Sequence, residues 1–214
     1  MKKVILMICA VAFAAAAQPK SVPNAKLSIN KNNIKVWTYQ DKNNPVFLYK
    51  AETTYDVPIE QAVHLIIDVD NAVKWVPYMG NVKLLSRDDK KGDFTLYMVL
   101  DFPFPLKDRD LVVQGKMIRE ANGQITIKNK AIQKGYPLNP DYVRLTHYEG
   151  DWTFNRLGEK KVKVSTYGYA NPEGSIPLTF VNMFVQQQPY QMLQKMKLEL
   201  NKSSTVPVLP EALR

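Results

Sequence analysis

The chain has 214 residues, 45% hydrophobic and 23% charged, a balance typical of a folded globular protein, which excludes disorder over the whole length. At this size we expect one domain whose core is large enough to fold without a metal ion or a disulfide. The formal charge of +9 comes from lysines scattered along the chain, which argues against nucleic-acid binding and leaves a solvated basic face or weak attraction to anionic lipid surfaces.

The N-terminal segment has the pattern of a secretory signal peptide, 1–17. Lys2 and Lys3 precede an uncharged stretch that ends in four alanines. The stretch is shorter than the ~20 apolar residues that a helix needs to span a bilayer. Cys9, the only cysteine, lies inside it. We therefore predict cleavage near Ala17, export to the periplasm or the medium, and a mature chain without disulfides or thiol chemistry.

Strand patterns dominate the segment 18–202, which we expect to form one domain followed by a proline-rich tail, 203–214. Alternating aromatic and β-branched residues on either side of polar turns predict four hairpins. One of the turns contains Asn122-Gly123, the strongest local signal for a tight hairpin. The predicted strand pairs are 34–40 with 47–55, 82–86 with 94–100, 111–119 with 125–132, and 142–154 with 162–169.

Two helices accompany these strands. Apolar residues recur at helical spacing in 57–69, where Pro58 suits the first turn. A longer apolar stripe runs over 177–201, and Pro189 inside it predicts a kink near Val185. The order of elements indicates an α+β fold, with an antiparallel sheet packed against a terminal helix.

Arg109 falls on the apolar face of its predicted strand, because its alternate neighbours on that side are apolar. A buried guanidinium stays protonated and must be paired, hydrogen-bonded or in contact with a ligand. Two interpretations stay open. Either its stem reaches solvent with Asp108 or Asp110 beside it, or it offers donors to a ligand in an otherwise apolar cavity. Gly115 in the same strand either widens such a cavity or marks a bulge.

The segment 101–106 is stiff, since prolines alternate with its apolar residues. Phe102, Phe104 and Leu106 either plug the core at one end of the sheet or form a gate that touches a ligand or a membrane. The methionines of the last helix also have two interpretations. Methionine fills gaps in cores, and it also lines surfaces that accept apolar ligands of varied shape.

Several motifs, in order, resemble the steroidogenic-acute-regulatory-related lipid-transfer (START) domains, specifically their exported bacterial members. The resemblance runs from about Leu27 to Asn201, and although each motif is weak alone, their order and spacing together are specific. The motifs are Trp75 and Pro77, Pro103-Phe104-Pro105, Asp108-Arg109-Asp110, Gly150-Asp151-Trp152-Thr153-Phe154, and Asn171-Pro172-Glu173-Gly174-Ser175-Ile176-Pro177.

The resemblance implies a helix-grip fold, in which a curved antiparallel sheet wraps around the long C-terminal helix and encloses a hydrophobic tunnel for one lipid-like molecule. It also implies that the arginine matching Arg109 faces the tunnel opposite an acidic residue. Met98 occupies roughly that acidic position here. The partner of Arg109 is therefore Asp101 or Glu149, and the resemblance does not extend to sterol specificity.

We predict non-catalytic binding and transfer of a single lipid or other hydrophobic small molecule by a monomer. We expect transient contact with an anionic membrane. We expect neither a cofactor nor a metal ion. The predicted ligand-binding residues are Arg109, Trp75, Met98, Leu100, Val113, Met117, Trp152, Phe184, Gln188 and Met192, and the predicted gate is Phe102, Phe104 and Leu106.

The sequence also allows two alternatives to lipid binding and transfer. The first is an enzyme of the wider helix-grip superfamily, a cyclase or hydrolase acting on a hydrophobic or polyketide-like substrate. It requires Arg109, Glu149 and a tyrosine such as Tyr167 to converge in the tunnel. The second is an interaction module whose core is filled by its own side chains. His64 and His147, the two histidines, have no carboxylate at a distinctive spacing and favour neither catalysis nor zinc binding.

Overall fold

The computed structural model describes residues 25–41, 44–174 and 176–214. The predicted signal peptide, 1–17, and the start of the predicted domain, 18–24, lie outside these residues. Within the three ranges, no helix is both long enough and apolar enough to cross a membrane.

One sheet of ten strands forms the body of the protein. Neighbouring strands in the sheet follow the order β1-β2-β3-β10-β9-β7-β6-β5-β4 and pair antiparallel, and the short β8 pairs with β6 in parallel. The strands are β1 (Lys26–Lys31), β2 (Ile34–Asp41), β3 (Asn44–Tyr55), β4 (Met79–Asp88), β5 (Asp93–Leu100), β6 (Arg109–Arg119), β7 (Ile125–Ile132), β8 (Val143–Arg144), β9 (Tyr148–Gly158) and β10 (Lys161–Ala170).

The helices lie between β3 and β4 and after β10. The first group is α1 (Ile59–Ile67), a 3-10 turn (Val69–Asn71) and α2 (Ala72–Trp75). The second is α3 (Leu178–Asn182), a π-helical turn (Met183–Gln187) and α4 (Gln188–Leu200), which we call together the C-terminal helix; a last 3-10 turn spans Glu211–Leu213.

The irregularity expected in the C-terminal helix takes the form of this π-helical turn. Val185 lies inside the turn, and Pro189 follows at the start of α4. Because proline has no N–H to donate to the carbonyl four residues earlier, a regular helix cannot run through this position. The wider π turn accommodates the missing bond.

The sheet and the C-terminal helix together form the predicted α+β helix-grip fold. Val113 and Met117 of β6 point to the helix and pack in one cluster with Met192 and Met196 of α4. Gly115 lies between them because the Phe94 ring needs the space, since a Cβ there would come within 1.9 Å of the Phe94 Cζ atom.

Two strand assignments differ from the sequence prediction. The edge strand β1 pairs with β2 and was not predicted. The predicted strand 142–154 is split, because only β8 pairs with β6 and the chain enters the main sheet at Tyr148. Between the two strands, Leu145 is buried and its N–H donates to the Asp110 carbonyl at 2.8 Å.

The proline-rich segment 203–214 packs against the domain. Leu209 and Leu213 are buried in the main core cluster. The Ala212 N–H donates to the Asp89 carbonyl at 2.9 Å, and the Arg119 guanidinium donates to the Leu213 carbonyl at 3.0 Å. The segment therefore covers the end of the sheet at the turn between β4 and β5, beside the C-terminal end of β6.

Candidate functional site

A cavity lies between the inner face of the sheet, the C-terminal helix and α1–α2. Its volume is about 210 Å³, many times the ~10–15 Å³ that one water molecule needs. The value is below the ~300–1,000 Å³ typical of small-molecule pockets. A slender ligand therefore fits this arrangement better than a bulky one, which requires the walls to move apart.

Most of the predicted ligand-binding residues meet at this cavity. Alternation along β5 and β6 brings their inner side chains to its wall, and the C-terminal helix supplies the opposite wall. The predicted residues that line it are Trp75, Met98, Leu100, Val113, Met117, Trp152, Phe184, Gln188 and Met192. The space between the sheet and the helix is partly open, which does not favour the alternative of a filled core.

Arg109 is placed differently from the expectation. It is buried, yet it is not one of the residues lining the cavity. Its guanidinium donates to the backbone carbonyls of Lys107, Pro172 at 3.3 Å and Glu173 at 3.4 Å. Burial lowers the pKa of Arg109, and the charge of Asp108 partly offsets this. The guanidinium therefore joins the start of β6 to the loop before the C-terminal helix, instead of presenting these donors to a ligand.

Neither acid proposed for Arg109 forms its counter-charge. The Asp101 carboxylate lies against Gly80, where an added Cβ would meet it at 1.9 Å. Glu149 alternates with Tyr148 and Gly150, both of which line the cavity, so its side chain leaves from the other face of β9. The nearby acid is Asp108, whose carboxylate accepts the Phe102 N–H at 2.8 Å.

An aromatic stack closes the end of the cavity next to Arg109. The guanidinium lies 4.2 Å from the centre of the Phe102 ring. The Phe102 ring stacks on the ring of Phe184, in the π-helical turn, at 4.3 Å, and the Tyr78 ring meets the same Phe184 ring at 5.4 Å in a tilted arrangement. Since these rings come from two loops and one helix, opening this end requires that they separate.

The three predicted gate residues have different surroundings. Phe102 lines the cavity, whereas Leu106 packs against the small cluster formed by Phe102, Ile176 and Val185. Phe104 is 93% exposed. A turn in which the Leu106 N–H donates to the Pro103 carbonyl at 3.0 Å places Phe104 at its tip.

Apart from Gln188, the polar groups that line the cavity were not predicted. Tyr49 of β3 and Tyr148 of β9 line it, together with Thr166 and Asn129. The Thr166 hydroxyl hydrogen-bonds to Tyr49, and burial raises the pKa of Tyr49 to about 12. Burial also raises the pKa of Tyr148. Both phenols are therefore neutral donors at any physiological pH.

Two strand glycines make room for these phenols. Gly168 of β10 pairs with Tyr49 on one side and with Gly150 of β9 on the other. A Cβ at Gly168 would come within 2.3 Å of the Tyr49 ring, and one at Gly150 within 2.2 Å of the Tyr148 hydroxyl. A glycine in the middle of a strand often marks a site where another group approaches closely. Gly150 and Gly168 were therefore the sequence signal from which the two phenols could have been predicted.

The groups required by the enzyme alternative do not converge. Arg109 is held at one end, and Glu149 and Tyr167 alternate with cavity-lining residues on their strands, which places them on the outer face. His64 and His147 are both exposed. The described residues contain no group of three or more His, Cys, Asp or Glu side chains placed to hold a metal ion.

Replacing Arg109 with methionine should weaken the closed end of the cavity. The variant keeps an apolar side chain but loses charged donors to three carbonyls, a loss that is partly offset because a buried guanidinium no longer has to be desolvated. We expect a loss of about 2–3 kcal/mol in unfolding free energy and faster amide exchange in 101–108 and 171–174. Lys128→Met, at an exposed position of β7, is the control; unchanged exchange in both loops of the Arg109 variant would contradict the assigned role.

Comparisons with known proteins agree with this geometry. The START domain family model matches residues 21–204. An uncharacterized protein of Pseudomonas aeruginosa is 24% identical over 177 residues, covering 83% of this chain and 87% of its own. Bovine phosphatidylcholine transfer protein is 24% identical over 162 residues, 73% of this chain and 75% of its own. Human StAR-related lipid transfer protein 7, mitochondrial, is 22% identical over 191 residues, 86% of this chain and 51% of its own, so this chain spans about half of it.

Solved structures share the fold. The STAR-related lipid transfer protein fragment from Xanthomonas axonopodis matches with a TM-score of 0.74 and 24% identity, covering 83% of this chain and 98% of that chain. The Zhui aromatase/cyclase from Streptomyces sp. R1128 matches more distantly, with a TM-score of 0.53 and 12% identity over 73% of this chain and 94% of that chain. Since the family model spans most of the sequence, and the cavity lies where sheet and terminal helix meet, the chain belongs to the START domain family.

Proposed function

We propose that this protein binds a single lipid or other hydrophobic small molecule in the cavity and transfers it without chemical change. The observation that carries the proposal is the open, mainly apolar space between the sheet and the C-terminal helix. Relatives with "lipid transfer" or "phosphatidylcholine transfer" in their names support it. The outward placement of Glu149 and Tyr167 gives no support to catalysis.

Burial of an alkyl chain supplies free energy of the same order as the cost of association. Each methylene group removed from water contributes about 0.8 kcal/mol, so about a dozen of them contribute roughly 10 kcal/mol. Loss of translational and rotational freedom opposes this with an estimated 4–15 kcal/mol. A long-chain ligand therefore binds through its apolar part, while polar contacts select among ligands.

Exchange of the ligand takes place at the end closed by Phe102 and Phe184. Phe104, which follows Phe102 in the same loop, is 93% exposed, and Leu138 of the loop between β7 and β8 is 74% exposed. The Lys107 ammonium donates to the Pro140 carbonyl at 3.2 Å and holds the two loops together. Exposed apolar side chains beside a lysine suit transient contact with an anionic membrane surface.

The protein acts outside the cytoplasm as a monomer in this proposal. The support is the signal-peptide pattern in 1–17, with its two lysines, apolar stretch and alanine-rich end. Sequencing the N-terminus of the protein from its own host is expected to show processing near Ala17. Light scattering is expected to give the mass of one chain, and an intact N-terminus or a dimer would correct the proposal.

Native mass spectrometry of the protein purified from its own host tests the binding function. We expect one lipid-like adduct per chain, which is released when the protein is denatured. Incubation with vesicles should reload the stripped protein. If the protein carries no hydrophobic adduct, either from the host or after incubation with vesicles, the proposal is wrong.

A further inference from the structure

We propose that the bound molecule carries an uncharged polar group, a hydroxyl or a carbonyl, that hydrogen-bonds to the Tyr148 hydroxyl within the cavity. The inference rests on the proposed function and names the chemistry of the molecule that the site selects. Three observations carry it: an available hydroxyl, the lack of a usable cation along the wall, and the paired glycines that make room for the phenols.

The Tyr148 hydroxyl is available to a ligand. Tyr148 lines the cavity, and no hydrogen bond joins its hydroxyl to another residue in the described ranges. Among their fully buried side-chain polar atoms, the indole nitrogen of Trp75 alone lacks a partner. The Tyr148 hydroxyl also lacks a partner among the described residues, so it is not fully buried. It therefore touches open space, and the open space next to it is the cavity.

The wall of the cavity offers no cation to an anionic group. Among the described residues that line it, Arg87 alone is charged. Its guanidinium is already bonded to the Asp89 carboxylate and, at 3.3 Å, to the Ile67 carbonyl. Burial raises the pKa of Tyr148, and Tyr49 and the negative charge of Asp151 raise it further, so the surroundings of this phenol disfavour another negative charge. A phosphate placed beside Tyr148 would be buried without a counter-charge, which is strongly unfavourable.

The surroundings of Tyr148 suit a neutral acceptor or donor. Tyr49, next to it, is itself neutral and hydrogen-bonded to Thr166. Gly150 leaves the Tyr148 hydroxyl close to the sheet, since any Cβ there would meet it at 2.2 Å. A phenol held in this way loses little conformational freedom when it hydrogen-bonds to a ligand.

Three probes with the same sixteen-carbon chain separate the contribution of the polar group from that of the chain. They are 1-hexadecanol, hexadecane and hexadecyl phosphate, each added at the same mole fraction to phosphatidylcholine vesicles. After incubation, the protein is separated from the vesicles and the retained probe is measured by mass spectrometry. The wild type is compared with Tyr148→Phe and with Tyr136→Phe, whose ring stacks on Tyr97 outside the cavity.

We expect the wild type to retain hexadecanol about fivefold more than hexadecane, the effect of one neutral hydrogen bond. Hexadecyl phosphate should be retained at least about tenfold less than hexadecanol, because its charge is unpaired. Tyr148→Phe should lower hexadecanol to the level of hexadecane and leave hexadecane unchanged, which also shows that the variant is folded. Tyr136→Phe should match the wild type.

The outcomes distinguish this inference from the proposed function. If none of the probes is retained by the wild type, lipid binding itself fails. If the probes are retained equally, if the phosphate is preferred, or if Tyr148→Phe keeps the full advantage of hexadecanol, lipid binding stands and the role of Tyr148 is overturned.

Discussion

Replacing Asp110 with alanine should lower the unfolding free energy by about 3–5 kcal/mol, because it leaves a buried guanidinium without its counter-charge. The Asp110 side chain is 1% exposed and that of Arg144 is 9% exposed. Two hydrogen bonds, of 2.8 and 2.9 Å, join the two groups, and the Tyr97 hydroxyl donates to the same carboxylate at 3.0 Å. Urea unfolding followed by circular dichroism measures the loss.

The size of the effect depends on burial, and an exposed pair provides the matched control. Asp93 and Lys116 face each other on β5 and β6 at 2.8 Å, with side chains about half exposed. Asp93→Ala should therefore cost no more than about 1 kcal/mol. Removing both buried partners, as Asp110→Ala with Arg144→Met, should recover part of the loss. Equal effects of Asp110→Ala and Asp93→Ala would show that the buried pair does not hold the loop 133–147 to the sheet.

The sequence predicted the parts of the fold whose side chains have one clearly buried face. Inner residues of β5 and β6, such as Leu96 and Val113, were recognised by alternation, because one face packs on the C-terminal helix. The long helix was recognised for the same reason. The curvature of the sheet and the cavity were predicted from the resemblance to START domains, because alternation alone indicates neither.

The misassigned elements depend on contacts that are distant in sequence. β1 is an edge strand with mostly exposed side chains, so it has no strong apolar alternation. The break between β8 and β9 follows from the pairing of Arg144 with Asp110, 34 residues earlier. In the same way, Leu209 and Leu213 belong to the main core cluster, most of whose other members are distant from them in the chain.

The candidate site was predictable for its apolar wall and less so for its polar groups. Met98 and Leu100 followed from strand alternation. Two of the three backbone carbonyls that accept hydrogen bonds from Arg109 belong to a loop 63 and 64 residues away, which no local pattern reveals. Tyr49 and Tyr148 resembled ordinary strand aromatics until the register placed Gly150 opposite Gly168.

Filling the cavity should abolish ligand binding without unfolding the protein. Met98 lines the cavity and keeps part of its surface accessible, so Met98→Trp places a larger ring into open space. We expect at least a tenfold loss of 1-hexadecanol retained after incubation with phosphatidylcholine vesicles that contain it. Stability should be unchanged or higher, because the ring gains contacts that the open space does not provide.

The sign of the stability change separates an open cavity from a packed core. In a packed core the same substitution forces side chains off their rotamers and costs about 1–3 kcal/mol. Leu198→Trp, on the exposed side of α4 where Leu198 is 63% accessible, is the control for the added indole and should bind lipid like the wild type. A Met98→Trp variant that is destabilised by that amount yet still retains lipid would place the binding site elsewhere. A variant that is as stable as the wild type and no longer retains lipid would identify the space beneath the C-terminal helix as the place where the ligand lies.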